Sequence, residues 1–200
     1  MILNLENDLK NKLTGVVHVG AHEGQEMDFY IKCGASKIRW YEANPAIYDR
    51  LVKKIGDSKI QTAHNVAVCD YTGKIKFNVS NNDGSSSSIL ELKEHKKYYP
   101  QIHYESQIEV DCIKLDDENL TGFNSLFMDV QGAEYKVLLG AEKLIKSSIK
   151  YIYCEVNFEE LYAGCATLST MDDYLNGLNF NRIHLVDTRH GWGDALYVKI

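Results

Sequence analysis

Short β-branched runs alternate with amphipathic stretches along most of this chain. Residues 16–19 (Val-Val-His-Val) form such a run and close on Gly20. Residues 23–32 place Met27, Phe29, Tyr30 and Ile31 as the apolar positions of a helix, and Cys33-Gly34-Ala35 reads as its stop. Residues 37–41 predict a second strand. Pro45 then opens a helix over 46–55, because proline suits the first helical turn, and Gly56 closes it. Residues 60–68 predict the third strand, 125–130 the fourth and 149–156 the fifth, with a helix over 133–146 between the last two. A helix over 171–178 precedes two final strands, 181–186 and 195–200. Their short link, His190-Gly191-Trp192-Gly193, predicts a hairpin. Between the third and fourth strands, 74–80 and 106–115 alternate apolar and polar residues. With the tight-turn signal Asn82-Asp83-Gly84 and a helical piece over 89–98, they predict an antiparallel insertion.

Strands separated by helices imply a mostly parallel sheet covered on both faces, and right-handed crossovers make it doubly wound. The closing hairpin adds one antiparallel strand. Ligands in such sheets bind beyond the carboxyl ends of the strands, near the point where strand order reverses. The residues that terminate strands are therefore the ones to inspect.

Composition narrows the class. Apolar residues make up 44% and charged residues 25% of 200, which suits one ordinary core, and two prolines leave no rigid linker. No apolar run approaches the ~20 residues that span a bilayer, and the first 15 residues carry no signal-peptide pattern, so no membrane insertion is expected. A net charge of −6 disfavours nucleic acid. The best basic run, 93–97, is interrupted by Glu94 and reads as a solvated helix face. Cys33, Cys69, Cys112, Cys154 and Cys165 are odd in number and scattered, which predicts free thiols and a cytoplasmic setting.

The first strand ends in Gly20-Ala21-His22-Glu23-Gly24, where glycine permits close backbone approach and the following helix start can hold a carboxylate. The loop lacks the G-x-G-x-x-G phosphate pattern. Glu42 ends the second strand, 22 residues after Gly20, placed to accept hydrogen bonds from ribose hydroxyls. Asn65, Val66 and Ala67 near the third strand's end are small and amide-bearing enough to line an adenine pocket. Asp129 ends the fourth strand, next to Val130, and Glu155 the fifth, followed by Asn157. Acids at three strand ends would stabilise a cationic cofactor, hold a metal or act as a base.

These stretches resemble the FkbM-type methyltransferases from about Gly15 to Ile200. The resemblance rests on Val17-His18-Val19-Gly20-Ala21-His22-Glu23-Gly24, on Tyr41-Glu42-Ala43-Asn44-Pro45, on Asn82-Asp83-Gly84 with Ser85 to Ser88, and on Met128-Asp129-Val130-Gln131-Gly132-Ala133-Glu134. It implies a Rossmann-like class I methyltransferase fold with a seven-stranded sheet. It also implies S-adenosylmethionine as cofactor and O-methylation of hydroxyls on sugars or polyketide-like products. By motif position, Gly20, Ala21, His22, Glu23 and Gly24 would contact the methionine part and Glu42 the ribose. Asn65, Val66 and Ala67 would lie near the adenine, and Asp129 with Val130 beside the transferring methyl. Two positions depart from the family's usual pattern: His18 stands where Asp is usual, and Gln131 where Glu is usual.

Methyl transfer to an aliphatic hydroxyl needs in-line alignment and a proton acceptor, or a metal that lowers the hydroxyl's pKa. Asp129, Glu155 and His22 are the candidate bases, and Asp129 with Glu155 is a candidate Mg2+ pair. Acceptor contacts are expected from Ser87 and Ser88 in the insertion and from Asn157, Tyr162, His190 and Trp192. The expected function is methylation of a hydroxyl, of a sugar in a glycan or glycoconjugate, by one domain over 1–200, which suits a domain cut from a longer protein. A nucleotide-dependent oxidoreductase and a non-catalytic cofactor- or glycan-binding module are the alternatives.

Overall fold

A computed structural model describes residues 5–200. Residues 1–4 of the segment read as lacking a signal peptide lie outside the described residues. After α1 (Glu6–Leu9), the chain lays down β1 (Val16–Val19), α2 (Met27–Lys32), β2 (Ile38–Tyr41), α3 (Pro45–Ile55), β3 (Gln61–His64), β4 (Ala67–Val68) and β5 (Gly73–Ser80). It continues through α4 (His95–Tyr98), β6 (Tyr104–Ile113), β7 (Ser125–Met128), α5 (Glu134–Leu139), α6 (Glu142–Ser147), β8 (Tyr151–Asn157), α7 (Leu168–Gly177), β9 (Phe180–Asp187) and β10 (Trp192–Lys199).

Seven strands form the main sheet in the order β3-β2-β1-β7-β8-β10-β9. β1, β2, β3, β7 and β8 run parallel, while β10 is antiparallel to both of its neighbours. The expected antiparallel strand of the closing hairpin is present as β10, inserted between β8 and β9. The chain leaves β1 toward β2 and β3 on one side and returns on the other at β7, so strand order reverses between β1 and β7.

β1 and β7 are buried along their whole length, as central parallel strands must be. Their alternate side chains feed two cores. Val17, Val19, Leu126, Met128, Ile152 and Cys154 pack beneath α5, α6 and α7. Val16, Phe127, Tyr153 and Leu196 pack with Tyr30 and Trp40 on the other face. All five cysteines are free and buried.

Three predicted elements differ, each for a local reason. The third strand splits after His64: Asn65 donates its side-chain amide to the carbonyls of Glu42 and Ala43, and Ala67–Val68 crosses to a second, three-stranded sheet of order β4-β6-β5. The helix expected over 133–146 breaks at Gly140, whose carbonyl accepts the Asp116 amide at 3.0 Å while the Asp116 carboxylate accepts the Lys143 and Leu144 amides at 3.0 and 2.9 Å to start the next helix. The helix expected over 89–98 shortens to the single turn of α4. By contrast α3 starts as expected, with Pro45 in its first turn and the Asn44 side chain accepting from the Ala46 amide at 3.1 Å.

Candidate active site

A cleft of about 600 Å³ opens over the carboxyl ends of β1, β2 and β7, at the point where strand order reverses. Its geometry begins with Gly20. At φ +76° it turns β1 so tightly against β7 that an added Cβ would stand 1.8 Å from the Asp129 carbonyl oxygen. Gly20, Ala21 and His22 line the cleft. Glu23 and Gly24, expected beside them, do not: Glu23 turns out to an ion pair with Arg50 at 2.6 Å, and Gly24 packs on Leu51 and Trp40.

Glu42 stands at the end of β2, lines the cleft and is 6% exposed. One carboxylate oxygen accepts the His22 amide at 2.8 Å and the other the Asn44 amide at 2.7 Å. This side chain thus ties the β1–α2 loop to the start of α3. Each oxygen keeps lone-pair capacity for a ligand hydroxyl. Burial raises its pKa against the opposing pull of the two amides. Ala43, Ile47, Val66, Phe77 and Ile89 form an apolar slot beside it, and Ala67 completes that wall. Asn65 is not in the wall; its amide bonds hold the wall's backbone in place.

Asp129 follows β7 and lines the cleft, open to the solvent that fills it. Gln131 donates its amide to Asp129 Oδ1 at 2.6 Å and to Glu155 Oε2 at 3.2 Å, and its own Oε1 accepts the Tyr162 hydroxyl at 2.6 Å. Ser88 Oγ donates to the Gln131 carbonyl at 2.8 Å. The hydroxyl at one end therefore fixes which end of the amide faces the two acids. Surrounding protein raises the pKa of Asp129, while the Gln131 amide and His18 act in the lowering direction. Burial, then Asp129, Glu134 and Asp194, push Glu155 well above the usual carboxylate range.

Several of the expected residues stand away from the cleft surface. Glu155, Asn157, Tyr162 and Ser88 are buried behind the cleft wall rather than lining it. His190 points outward to the Tyr99 hydroxyl at 3.1 Å. His22 has both ring nitrogens engaged: Nδ1 with the Gln25 amide at 2.9 Å and Nε2 with the Asp83 carbonyl at 3.2 Å, which requires the Nε2–H tautomer and leaves no free base. Val130, Ser87 and Trp192 do line the cleft. The Asp129–Glu155 pair offers poor terms to Mg2+, because amide hydrogens rather than a further oxygen ligand stand between the two carboxylates. Among the described residues, no group of three or more His, Cys, Asp and Glu is arranged to hold a metal ion.

The structure adds residues that the strand-end argument missed. Glu26 and Phe29 come from α2 and the turn before it, Phe127 and Tyr153 from the sheet, and Asp194 from β10. His18, beneath them, has its pKa lowered to about 4, chiefly by burial, and its Nδ1 pairs with the Tyr30 hydroxyl at 2.8 Å. Asp194 was missed because β10 runs antiparallel, so its start and not its carboxyl end reaches the cleft.

Comparison with known proteins agrees with this geometry. The chain is 28% identical over 171 residues to the 2-O-methyltransferase NoeI of Sinorhizobium fredii (strain NBRC 101917 / NGR234), covering 80% of this chain and 70% of that protein. Among solved structures, methyltransferase FkbM from Methylobacillus flagellatus KT superposes with a TM-score of 0.64 at 16% identity, over 92% of this chain but only 43% of that longer one. The magnesium protoporphyrin IX methyltransferase ChlM of Synechocystis PCC 6803, solved with bound S-adenosylmethionine, gives 0.55 at 10% identity over 99% of this chain and 74% of its own. Both structural likenesses concern the fold. Residues 18–182 match the methyltransferase FkbM domain, which spans Gly20, Glu42 and Asp129 alike, and the chain belongs to that family of S-adenosylmethionine-dependent methyltransferases.

Proposed function

We propose that this protein methylates a hydroxyl of a sugar-like acceptor and that Asp129 takes the hydroxyl's proton. The observation that carries the reading is the Asp129 carboxylate itself. It stands at the end of β7 and opens into the cleft, with Oδ1 held by Gln131 at 2.6 Å and Oδ2 left for the acceptor.

The cleft fits the cofactor's parts. The apolar slot of Ala43, Ile47, Val66, Phe77 and Ile89 suits an adenine, and Glu42 suits ribose hydroxyls. Asp129 and Glu26 supply negative charge for a sulfonium. When bound, S-adenosylmethionine supplies an electrophilic methyl on that sulfonium. The residues of this chain then have three tasks: to align the acceptor oxygen, to exclude water and to receive a proton at Asp129. Gln131 fixes the rotamer of Asp129, and the partly exposed Trp192 gives a ring face for a saccharide at the mouth. Among the described residues no Lys or Arg lines the cleft to meet a pyrophosphate, which weighs against a dinucleotide. The relative NoeI, a 2-O-methyltransferase by name, supports oxygen as the acceptor atom.

The test pairs binding with turnover. S-adenosylhomocysteine should bind the wild type at micromolar Kd. Asp129→Asn should bind it within about two-fold yet lose methyl transfer to a saccharide panel by roughly 100-fold or more, the scale of a general base. An Asp129→Asn variant that keeps its turnover would refute the assignment, as would transfer to nitrogen rather than oxygen.

A further inference from the structure

Among the described residues, both buried side-chain atoms of β8 and β10 that lack a hydrogen-bond partner are acceptors, one at the cleft and one behind it. Asp194 is 9% exposed and lines the cleft; the Tyr153 hydroxyl stands near enough to its carboxylate to act on it as a donor, yet its Oδ2 is buried with no hydrogen-bond partner. On the adjacent strand, Asn157 is 1% exposed, and its Oδ1 is likewise buried without a donor. Asn157 pairs with Trp192, two residues before Asp194, and Asp194 pairs with Glu155. Residues directly opposite in an antiparallel pair share a face, and alternate residues on one strand share it too. Asn157, Glu155, Trp192 and Asp194 therefore present to the same side of the sheet.

An orphaned buried carboxylate oxygen is costly, so a site that keeps one is shaped for a ligand that brings the donor. Charge and surroundings say which donor. Asp129 and Glu26 share the cleft with Asp194, and Glu155 lies behind it; among the described residues no Lys or Arg lines the cleft. The walls around Asp194 are aromatic: Phe29, Phe127, Tyr153 and Trp192, with the Phe127 and Tyr153 rings 5.6 Å apart. Aromatic faces beside a carboxylate are the surroundings that stabilise a desolvated ammonium. An anionic acceptor would meet only repulsion here.

We infer that the acceptor carries a protonated amine near the hydroxyl that is methylated, as in an amino sugar or amino alcohol, and that Asp194 receives this ammonium against the Tyr153 and Trp192 rings. The inference rests on the methyltransferase reading for the hydroxyl, but the amine site stands on Asp194 alone. On this inference Asp194 belongs to acceptor recognition and not to the cofactor's amino group.

The experiment is titration of three methyl glycosides of one ring type, one bearing a free 2-amine, one neutral and one a uronate. Each is followed by ligand-observed NMR against the protein saturated with S-adenosylhomocysteine. The amine should bind at least roughly ten-fold tighter than the neutral glycoside, the scale of a charge-assisted contact, and the uronate not measurably. Asp194→Asn, its melt checked first, should erase the amine preference while holding S-adenosylhomocysteine within about two-fold. Should that variant not fold, the wild type decides. Burial lifts the Asp194 carboxyl to about 6 while the Tyr153 hydroxyl acts in the lowering direction, so the preference should shrink between pH 7 and pH 5, where the glycoside amine is mostly protonated, as Asp194, with Asp129, Glu26 and Glu155 around it, takes up protons. Equal binding of amine and neutral glycoside overturns the inference, as does a preference that survives Asp194→Asn or acidification. Loss of S-adenosylhomocysteine affinity in Asp194→Asn also overturns it, by assigning the carboxylate to the cofactor. If S-adenosylhomocysteine does not bind the wild type at all, the methyltransferase reading fails, and the same three glycosides titrated without it still decide the amine site.

Discussion

Glu42→Gln tests whether one side chain both shapes the cleft and serves the cofactor. The carboxylate accepts two backbone amides, His22 at 2.8 Å and Asn44 at 2.7 Å, on separate oxygens. Glutamine offers one acceptor oxygen, so its NH2 must confront one of those N–H groups, donor against donor. A buried donor left without its partner costs about 1–3 kcal/mol, and the lost bond is charge-assisted. Removing a charge from a buried site returns part of that cost, since burial already raises the Glu42 pKa. A net loss of about 1–2 kcal/mol is expected, a fall in Tm of roughly 2–8 °C for a chain of this size. Urea unfolding should show the midpoint moving with an unchanged m-value. S-adenosylhomocysteine affinity should fall by about ten-fold or more, because the His22 loop loses its tether as well as the ribose its acceptor. A stability change below about 0.5 kcal/mol, the range of neutral surface substitutions, would refute the clamp.

Glu134 is held with its pKa raised from 4.5 to about 8, mainly by burial, although it accepts the Val130 amide at 2.8 Å. A carboxyl whose folded pKa is raised holds its proton better folded than unfolded, so its contribution is complete below pH 4.5 and is lost as pH rises toward 8. Glu134→Gln, which keeps the acceptor for Val130, should flatten the fall in Tm across that window; an unchanged slope counts against the assignment. Gly20→Ala should cost about 3–5 kcal/mol, at the exceptional end for one methyl, because its Cβ meets the backbone oxygen of Asp129 and its φ is left-handed; soluble variant with a wild-type melt would disprove the close approach. Gln131→Glu replaces a shared donor with a third carboxyl beside Asp129 and Glu155, so the variant should melt lower at pH 8 and regain stability with Mg2+ or Mn2+, with no such gain in the wild type. Equal metal response in both proteins would refute it.

The parallel strands and the reversal between β1 and β7 were legible because central strands are written as short, wholly apolar runs. Glu42 and Asp129 were legible for a related reason: a parallel strand that ends on an acid must deliver it to the cleft side of the sheet. Glu155 obeys the same rule in sequence yet lies behind Gln131, since only the left-handed backbone at Gln131, φ +54°, folds that side chain between the two acids. Asn65 looked like a pocket residue and proved to be a brace, because its amide found two nearby carbonyls before any ligand could. The broken helix after Ala133 shows the limit most plainly. The apolar spacing runs on without interruption, and what divides the helix is Asp116, about 25 residues back along the chain, whose amide takes the Gly140 carbonyl and whose carboxylate caps the next helix.

The two departures from the family's usual pattern both bear on Asp129, and both remove negative charge from its surroundings. His18 is a buried ring whose pKa is lowered to about 4, so at neutral pH it adds no charge beside Asp129, where an acid would raise the Asp129 pKa. Gln131 offers amide hydrogens where an acid would offer a third carboxylate. Glu26 and Glu155 already crowd this corner of the cleft, and further acids would hold protons there at neutral pH through mutual repulsion. With a neutral ring and an amide instead, Asp129 is the member of the group with both a donor on one oxygen and solvent on the other, so it ionises ahead of Glu155. A base must be ionised before the acceptor arrives. The substitutions at 18 and 131 therefore favour negative charge on Asp129, which is the distribution that the proposed proton removal from a hydroxyl requires.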